Sequence, residues 1–113
     1  MKIVKCKNGN ILMTLKEIED VSDKVIKSND VDAAVEKHVP QYEINGKKVR
    51  VFVNHVMEED HYIEWLLIDY GTEQIVKQFV PGDEPSIEVE YFPGMKAYSY
   101  CNKHSLWVNE NNQ

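Results

Sequence analysis

An antiparallel β-sandwich or barrel is the fold this chain predicts, and three observations carry that expectation. Short apolar-polar alternating segments recur from residue 47 onward. Gly and Pro turn signals separate them at intervals of about eight to twelve residues, the spacing of all-β domains. The length of 113 residues, with a globular composition, suits one small domain that can build its own core.

The first thirty residues read differently from the rest. Ile3-Val4 and Ile11-Leu12-Met13 flank a turn signal at Asn8-Gly9-Asn10. Thr14-Leu15-Lys16-Glu17 has capping-box spacing, and Leu15, Ile18, Val21 and Val25 fall roughly on one face of a short helix. Ser28-Asn29-Asp30 sets three polar turn-formers in a row and marks a boundary. We therefore expect a short irregular N-terminal segment, 1–30, followed by a β domain, 31–113.

In the second part, Val49, Val51 and Val53 alternate with Arg50 and Phe52. Tyr62 to Tyr70 is rich in aromatic and branched residues and stops at Gly71; Ile75 to Val80 stops at Pro81-Gly82. Ile87 to Tyr91 alternates until Pro93-Gly94. In the next strand Ala97, Ser99 and Cys101 share one face, and Tyr98 and Tyr100 share the other. Leu106-Trp107-Val108 completes the set. Trp65 and Trp107 are expected in the core, with Tyr62, Tyr98 and Tyr100 beside them.

Charge and composition exclude several classes. Nineteen acidic against thirteen basic residues give −6, which argues against nucleic acid or an anionic membrane as the main partner. The longest apolar run, Trp65-Leu66-Leu67-Ile68, is far too short to span a bilayer. The N-terminal stretch lacks the apolar core of a secretory signal, so a cytoplasmic protein is expected. Cys6 and Cys101 are the only cysteines, too few for a disulfide framework.

The chemistry sits in four histidines and one cysteine. His38, His55 and His61 fall at strand ends and loops, and His104 follows Cys101 by three residues. A rigid β scaffold can aim side chains from different loops at one centre. Structural zinc usually closes with four ligands and more Cys. Five ligands of this kind favour a square-pyramidal geometry with one open position. Imidazole suits iron, copper, nickel and zinc, and a single thiolate adds electron density to a redox metal. Divalent affinity alone favours copper; an open position beside a thiolate favours redox iron.

Three motifs carry a family resemblance. Glu36-Lys37-His38-Val39-Pro40 resembles the Glu-Lys-His-x-Pro signature of superoxide reductases, the iron module also found in desulfoferrodoxin and neelaredoxin. The segment His55-Val56-Met57 through His61-Tyr62-Ile63-Glu64-Trp65 is similar to that family's His-Pro-Met…His-Tyr-Ile-Glu-Trp. Tyr100-Cys101-Asn102-Lys103-His104-Ser105-Leu106-Trp107 is similar to its Tyr-Cys-Asn-x-His-Gly-Leu-Trp.

The resemblance implies an immunoglobulin-like sandwich with one mononuclear non-haem iron near one end. His38, His55, His61 and His104 would then be equatorial ligands and Cys101 the axial thiolate. It also implies that Glu36 caps the oxidised metal and that Lys37 attracts superoxide; Lys47 and Lys48 could add to that attraction but are expected, from their own positions, to be ordinary surface charges. The implied reaction is one-electron reduction of superoxide to hydrogen peroxide, with a rubredoxin-like donor, in a homodimer or homotetramer. An iron-binding sandwich for electron transfer or metal storage, without superoxide turnover, is the competing expectation.

The chain departs from the family pattern at three places. Val56 stands where the family has Pro, and Ser105 where it has Gly, which matters if that position needs positive φ. Val4-Lys5-Cys6-Lys7-Asn8-Gly9-Asn10-Ile11 is similar to the start of the family's four-cysteine N-terminal iron site, but one Cys cannot replace four. Backbone N–H groups around Asn102 and Lys103 are expected to bond the Cys101 sulfur.

Overall fold

The computed structural model describes residues 2–6, 8, 10–14, 24–25, 28–29 and 33–110. Among the described residues, strand is the regular structure, apart from one 3-10 turn at Val35–Lys37. The strands are β1 (Lys2–Lys5), β2 (Ile11–Thr14), β3 (Lys24–Val25), β4 (Gln41–Asn45), β5 (Lys48–Phe52), β6 (Ile63–Asp69), β7 (Gln74–Gln78), β8 (Ser86–Glu90), β9 (Lys96–Cys101) and β10 (Ser105–Asn109). They form sheets of order β10-β9-β6-β7, β4-β5-β8 and β2-β1-β3, and every pairing is antiparallel.

Alternation explains how the first two sheets face each other. Val49 and Val51 of β5 point inward with Val89 of β8, and they pack on Ile68 of β6 and Ala97 of β9. A second cluster of Val53, Ile63, Leu66, Phe79 and Cys101 closes the same interior toward one end. Each fully buried Val or Ile contributes roughly 1.5–3 kcal/mol by leaving water. Ala97, Ser99 and Cys101 are buried on the inner face, as the period of two requires. Tyr98 and Tyr100 face outward and are covered by Ile3, Ile11 and Met13 of the N-terminal sheet, together with Trp65 and Leu106.

Three expectations need correction. The described part of the N-terminal segment contains regular structure: β1 and β2 pair from Lys2↔Thr14 to Lys5↔Ile11, and Ile3 and Val4 are buried. Val25 lies on no helical face, because Val4↔Val25 and Lys5↔Lys24 pair as strands; the rest of the expected helix, 15–23, lies outside the described residues. Within the domain expected at 31–113, the strands also begin one earlier than residue 47, where alternation first signals them. Asn45↔Lys48 closes a two-residue hairpin loop with Gly46 at φ 66°, the first central position at which a type II′ turn takes Gly.

Asn29, within the expected boundary, is bonded to β10. Asn29 donates its backbone N–H to Leu106 O at 2.8 Å, and its side-chain oxygen accepts the Val108 N–H at 2.8 Å. These bonds fasten the end of the N-terminal segment to β10, an edge strand of its sheet.

Candidate metal centre

The topology collects strand ends at one end of the sandwich. β5 leaves toward that end at Phe52 and β6 enters from it at Ile63. β9 finishes there at Cys101, paired with both Ile63 and Ser105. His55 and His61 lie on the β5–β6 connection, His104 on the tight β9–β10 turn, and His38 directly after the 3-10 turn. A register shift between Ile63 and Trp65 marks a bulge beside the site, where a strand is re-aimed.

One ligand-capable atom from each of His38, His55, His61, Cys101 and His104 lies within 4.8 Å of all the others. The imidazoles meet edge to face in a closed ring. Centroid distances are 4.8 Å for His38–His55, 4.6 Å for His55–His61, 5.2 Å for His61–His104 and 4.8 Å for His104–His38. Cys101 Sγ, fully buried, lies 3.4 Å from His55 Nε2 and 3.8 Å from His104 Nδ1.

Backbone carbonyls select the inward nitrogens. His38 Nδ1–H donates to Ala34 O at 2.7 Å, and His55 Nδ1–H donates to Val56 O at 2.5 Å. Each bond fixes the tautomer, so Nε2 of both rings carries the lone pair turned to the centre. His104 turns the other way and presents Nδ1, 3.0 Å from His38 Nε2.

The electrostatics favour the neutral form of His38 and of His55. Burial lowers the His38 pKa below 6.5; the Ala34 carbonyl opposes the shift, and His104 and His61 add to it. Burial lowers His55 as well, opposed by Val56 O. Burial raises the Cys101 thiol, and the Lys103 and His104 backbone N–H bonds act against that rise. These two bonds meet the expectation for Lys103. Asn102 is a correction, since its N–H goes to Tyr62 O at 3.2 Å.

Other groups hold these side chains in place. Trp107, expected in the core, is buried there and also stacks on His38 at 4.9 Å, while its indole N–H donates to His104 O at 2.9 Å. Ser99 donates its hydroxyl to His38 O at 2.5 Å. The residue types alone gave no signal for these roles, because the Ser99–His38 and Trp107–His38 partners are remote in sequence. Ser105 has φ 66°, so the position where the family has Gly does require the left-handed region.

Glu36 and Lys37 lie exposed on the 3-10 turn that leads into His38, and the Glu36 carboxylate is outside the five-atom cluster. Lys47 and Lys48 sit at the far end of β5 from His55. Lys48 pairs with Glu90 at 2.8 Å, as expected of a surface charge.

The residues present fit a single metal ion. His61 Nε2 is buried and has no hydrogen-bond partner among the described residues. Such an orphan costs about 1–3 kcal/mol, and a cation at the middle of the ring would satisfy it. Four imidazoles with one soft sulfur form a donor set for a redox-active first-row metal.

An antiparallel β-sandwich that gathers this donor set at one end defines a mononuclear metal-binding protein of the non-haem type. The chain belongs to the desulfoferrodoxin family, whose profile matches residues 30–110, and this is a family of iron proteins. It is 45% identical over 89 residues to a desulfoferrodoxin homolog of Archaeoglobus fulgidus, covering 74% of this chain and 70% of that one. It is 35% identical over 98 residues to a superoxide reductase of Pyrococcus abyssi, covering 66% of this chain and 85% of that one. Its fold matches the crystal structure of the superoxide reductase from Treponema pallidum with a TM-score of 0.74 at 24% identity, over 96% and 99% of the two chains. Among the described residues, no helix is long and apolar enough to cross a membrane.

Proposed function

We propose that this chain is a superoxide reductase. It would hold one iron through Nε2 of His38, His55 and His61, Nδ1 of His104 and Sγ of Cys101, and convert superoxide, one electron and two protons to hydrogen peroxide. The observation that carries this reading is the five-donor cluster with its orphaned His61 nitrogen. Bound iron would supply one-electron redox chemistry, and a thiolate ligand would favour giving the electron outward.

The chain's own groups divide the remaining tasks. Ala34 O and Val56 O keep two imidazoles in the ligating tautomer. The Lys103 and His104 N–H groups temper the charge on sulfur. Lys37, exposed and adjacent to His38, draws the small anion toward a protein whose net charge of −6 repels it. Glu36, its neighbour, would offer a carboxylate to the metal in its oxidised form. Residues 31–113 form the working domain, 1–30 contribute no second iron site, and the electron arrives from a rubredoxin-like donor.

Product stoichiometry tests the proposal. Iron-loaded protein should yield one peroxide per superoxide consumed and release no oxygen. Oxygen release would indicate a dismutase, and iron binding without turnover would indicate an electron carrier or store. For Lys37, stopped-flow rates across a salt series should show a several-fold slower reaction in Lys37→Ala. The salt slope should also be flatter, since the Debye length falls from about 30 Å at 0.01 M to about 10 Å at 0.1 M.

A further inference from the structure

We infer that Asn102 is a positioning residue: its side-chain amide grips the backbone on both sides of His61 and so fixes that imidazole relative to Cys101. The inference rests on the metal-site reading above. Asn102 Oδ1 accepts the Tyr62 N–H at 3.0 Å, and Nδ2 donates to Asp60 O at 2.9 Å. Its own N–H donates to Tyr62 O at 3.2 Å. The β6–β9 ladder ends at Ile63↔Cys101. Asn102 therefore continues the pairing past its end, first with backbone and then with a side chain that imitates a peptide group.

His61 needs such a grip more than its neighbours do. His38 and His55 each anchor a ring nitrogen on a carbonyl. Among the described residues, no hydrogen bond holds either ring nitrogen of His61. Its backbone closes a tight turn on itself, with Glu58 N–H to His61 O at 3.0 Å and His61 N–H to Glu58 O at 3.2 Å. That turn is tied to the rest of the protein on the Met57 side by Gly82 N–H to Met57 O at 2.8 Å. On the side of the sulfur ligand it is tied by Asn102, with an exposed Lys103–Asp60 pair at 3.8 Å adding little.

Cobalt(II) titration of the metal-free full-length protein tests the role, because the thiolate-to-cobalt band and the d–d bands report ligation without turnover. Asn102→Ala should weaken cobalt affinity about ten- to a hundred-fold, the usual loss when a ligand's supporting partner is removed. The thiolate band should survive, while Tyr62 amide hydrogen exchange speeds up in the metal-free state. Asn102→Asp keeps the acceptor for Tyr62 N–H but sets a carboxylate oxygen against Asp60 O in place of the donor, so it too should bind cobalt more weakly than parent. Tyr42→Phe removes a remote bond, Tyr42 OH to Asn109 O at 2.7 Å, and controls for general destabilisation. Parent-like affinity in Asn102→Ala, or an equal loss in Tyr42→Phe, overturns the inference. If Asn102→Ala does not fold, Asn102→Asp against parent decides. A parent that takes up no cobalt defeats the metal-site reading, and the Tyr62 exchange comparison still decides the clamp.

Discussion

His38 and His61 occupy opposite corners of the imidazole ring, and the protein holds them by different means. His38 is 4% exposed, stacked on Trp107, bonded through Nδ1 to Ala34 O and gripped at its carbonyl by Ser99. His61 is half-buried, its aromatic-ring pairs among the described residues are with His55 and His104, and its Nε2 has no hydrogen-bond partner there. One ligand is thus part of the fold, whereas the other is placed for a metal and gains little without it. The ring has a packed side that forms with the sandwich and a compliant side that a metal completes.

Truncating each corner should break this comparison most clearly. His38→Ala and His61→Ala should both lose tight metal binding. In the metal-free protein, however, His38→Ala should cost roughly 2–4 kcal/mol, in the range for emptying a packed site with lost hydrogen bonds. His61→Ala should cost about 1 kcal/mol or less, since it also removes a buried unsatisfied nitrogen. Urea unfolding of the two apo-variants measures this, and equal losses would erase the distinction between the sides.

The pH dependence of the metal-free protein sharpens the same point. His38 and His55 have folded pKa values below the ordinary 6.5, chiefly through burial. Between the folded and unfolded values, the unfolded chain holds more protons, so stability rises with pH. The apo-protein should therefore lose stability as pH falls through about 6.5 and continue losing it down to the folded values. Metal should bind more weakly over the same interval, because protons then compete for the ligands. Apo-stability that stays flat from pH 7 to 5 would show that these two imidazoles are not desolvated as described.

How legible this was in the sequence depended on the range of the interaction. β5 to β10 were readable because inward residues alternate with outward ones, as in Val49, Val51 and Val89. β4 was missed although Asn45-Gly46 followed alternating Tyr42 and Ile44, a hairpin signal that could have extended the domain backward. The N-terminal hairpin was hidden because strands of four residues carry too little periodicity, and their apolar face makes sense only against Tyr98 and Tyr100. The five residues that the fold gathers into one cluster were legible from motifs. The grips of Trp107, Ser99 and Asn102 were not, since each depends on which remote carbonyl or N–H the fold brings near.

The smallest predicted effect concerns the turn that joins Cys101 to His104 on the packed side. Among the described non-glycine residues, Ser105 and Asn29 have positive φ, 66° and 56°, and both adjoin β10. Asn tolerates the left-handed region, and Asn29 uses its side chain there, accepting the Val108 N–H at 2.8 Å and donating to Val108 O at 3.4 Å. Ser105 has no such return, since no hydrogen bond of its hydroxyl is found among the described residues. An L-residue held in this region costs about 1–2 kcal/mol, whereas Gly there avoids the clash but loses more freedom on folding. Ser105→Gly should therefore stabilise the apo-protein by a net of about 0.5–1 kcal/mol. Asn29→Gly should destabilise it by about 1 kcal/mol through its lost hydrogen bonds. Opposite signs in thermal unfolding at neutral pH are the expected result; a loss of stability in Ser105→Gly would mean that the left-handed turn is not strained.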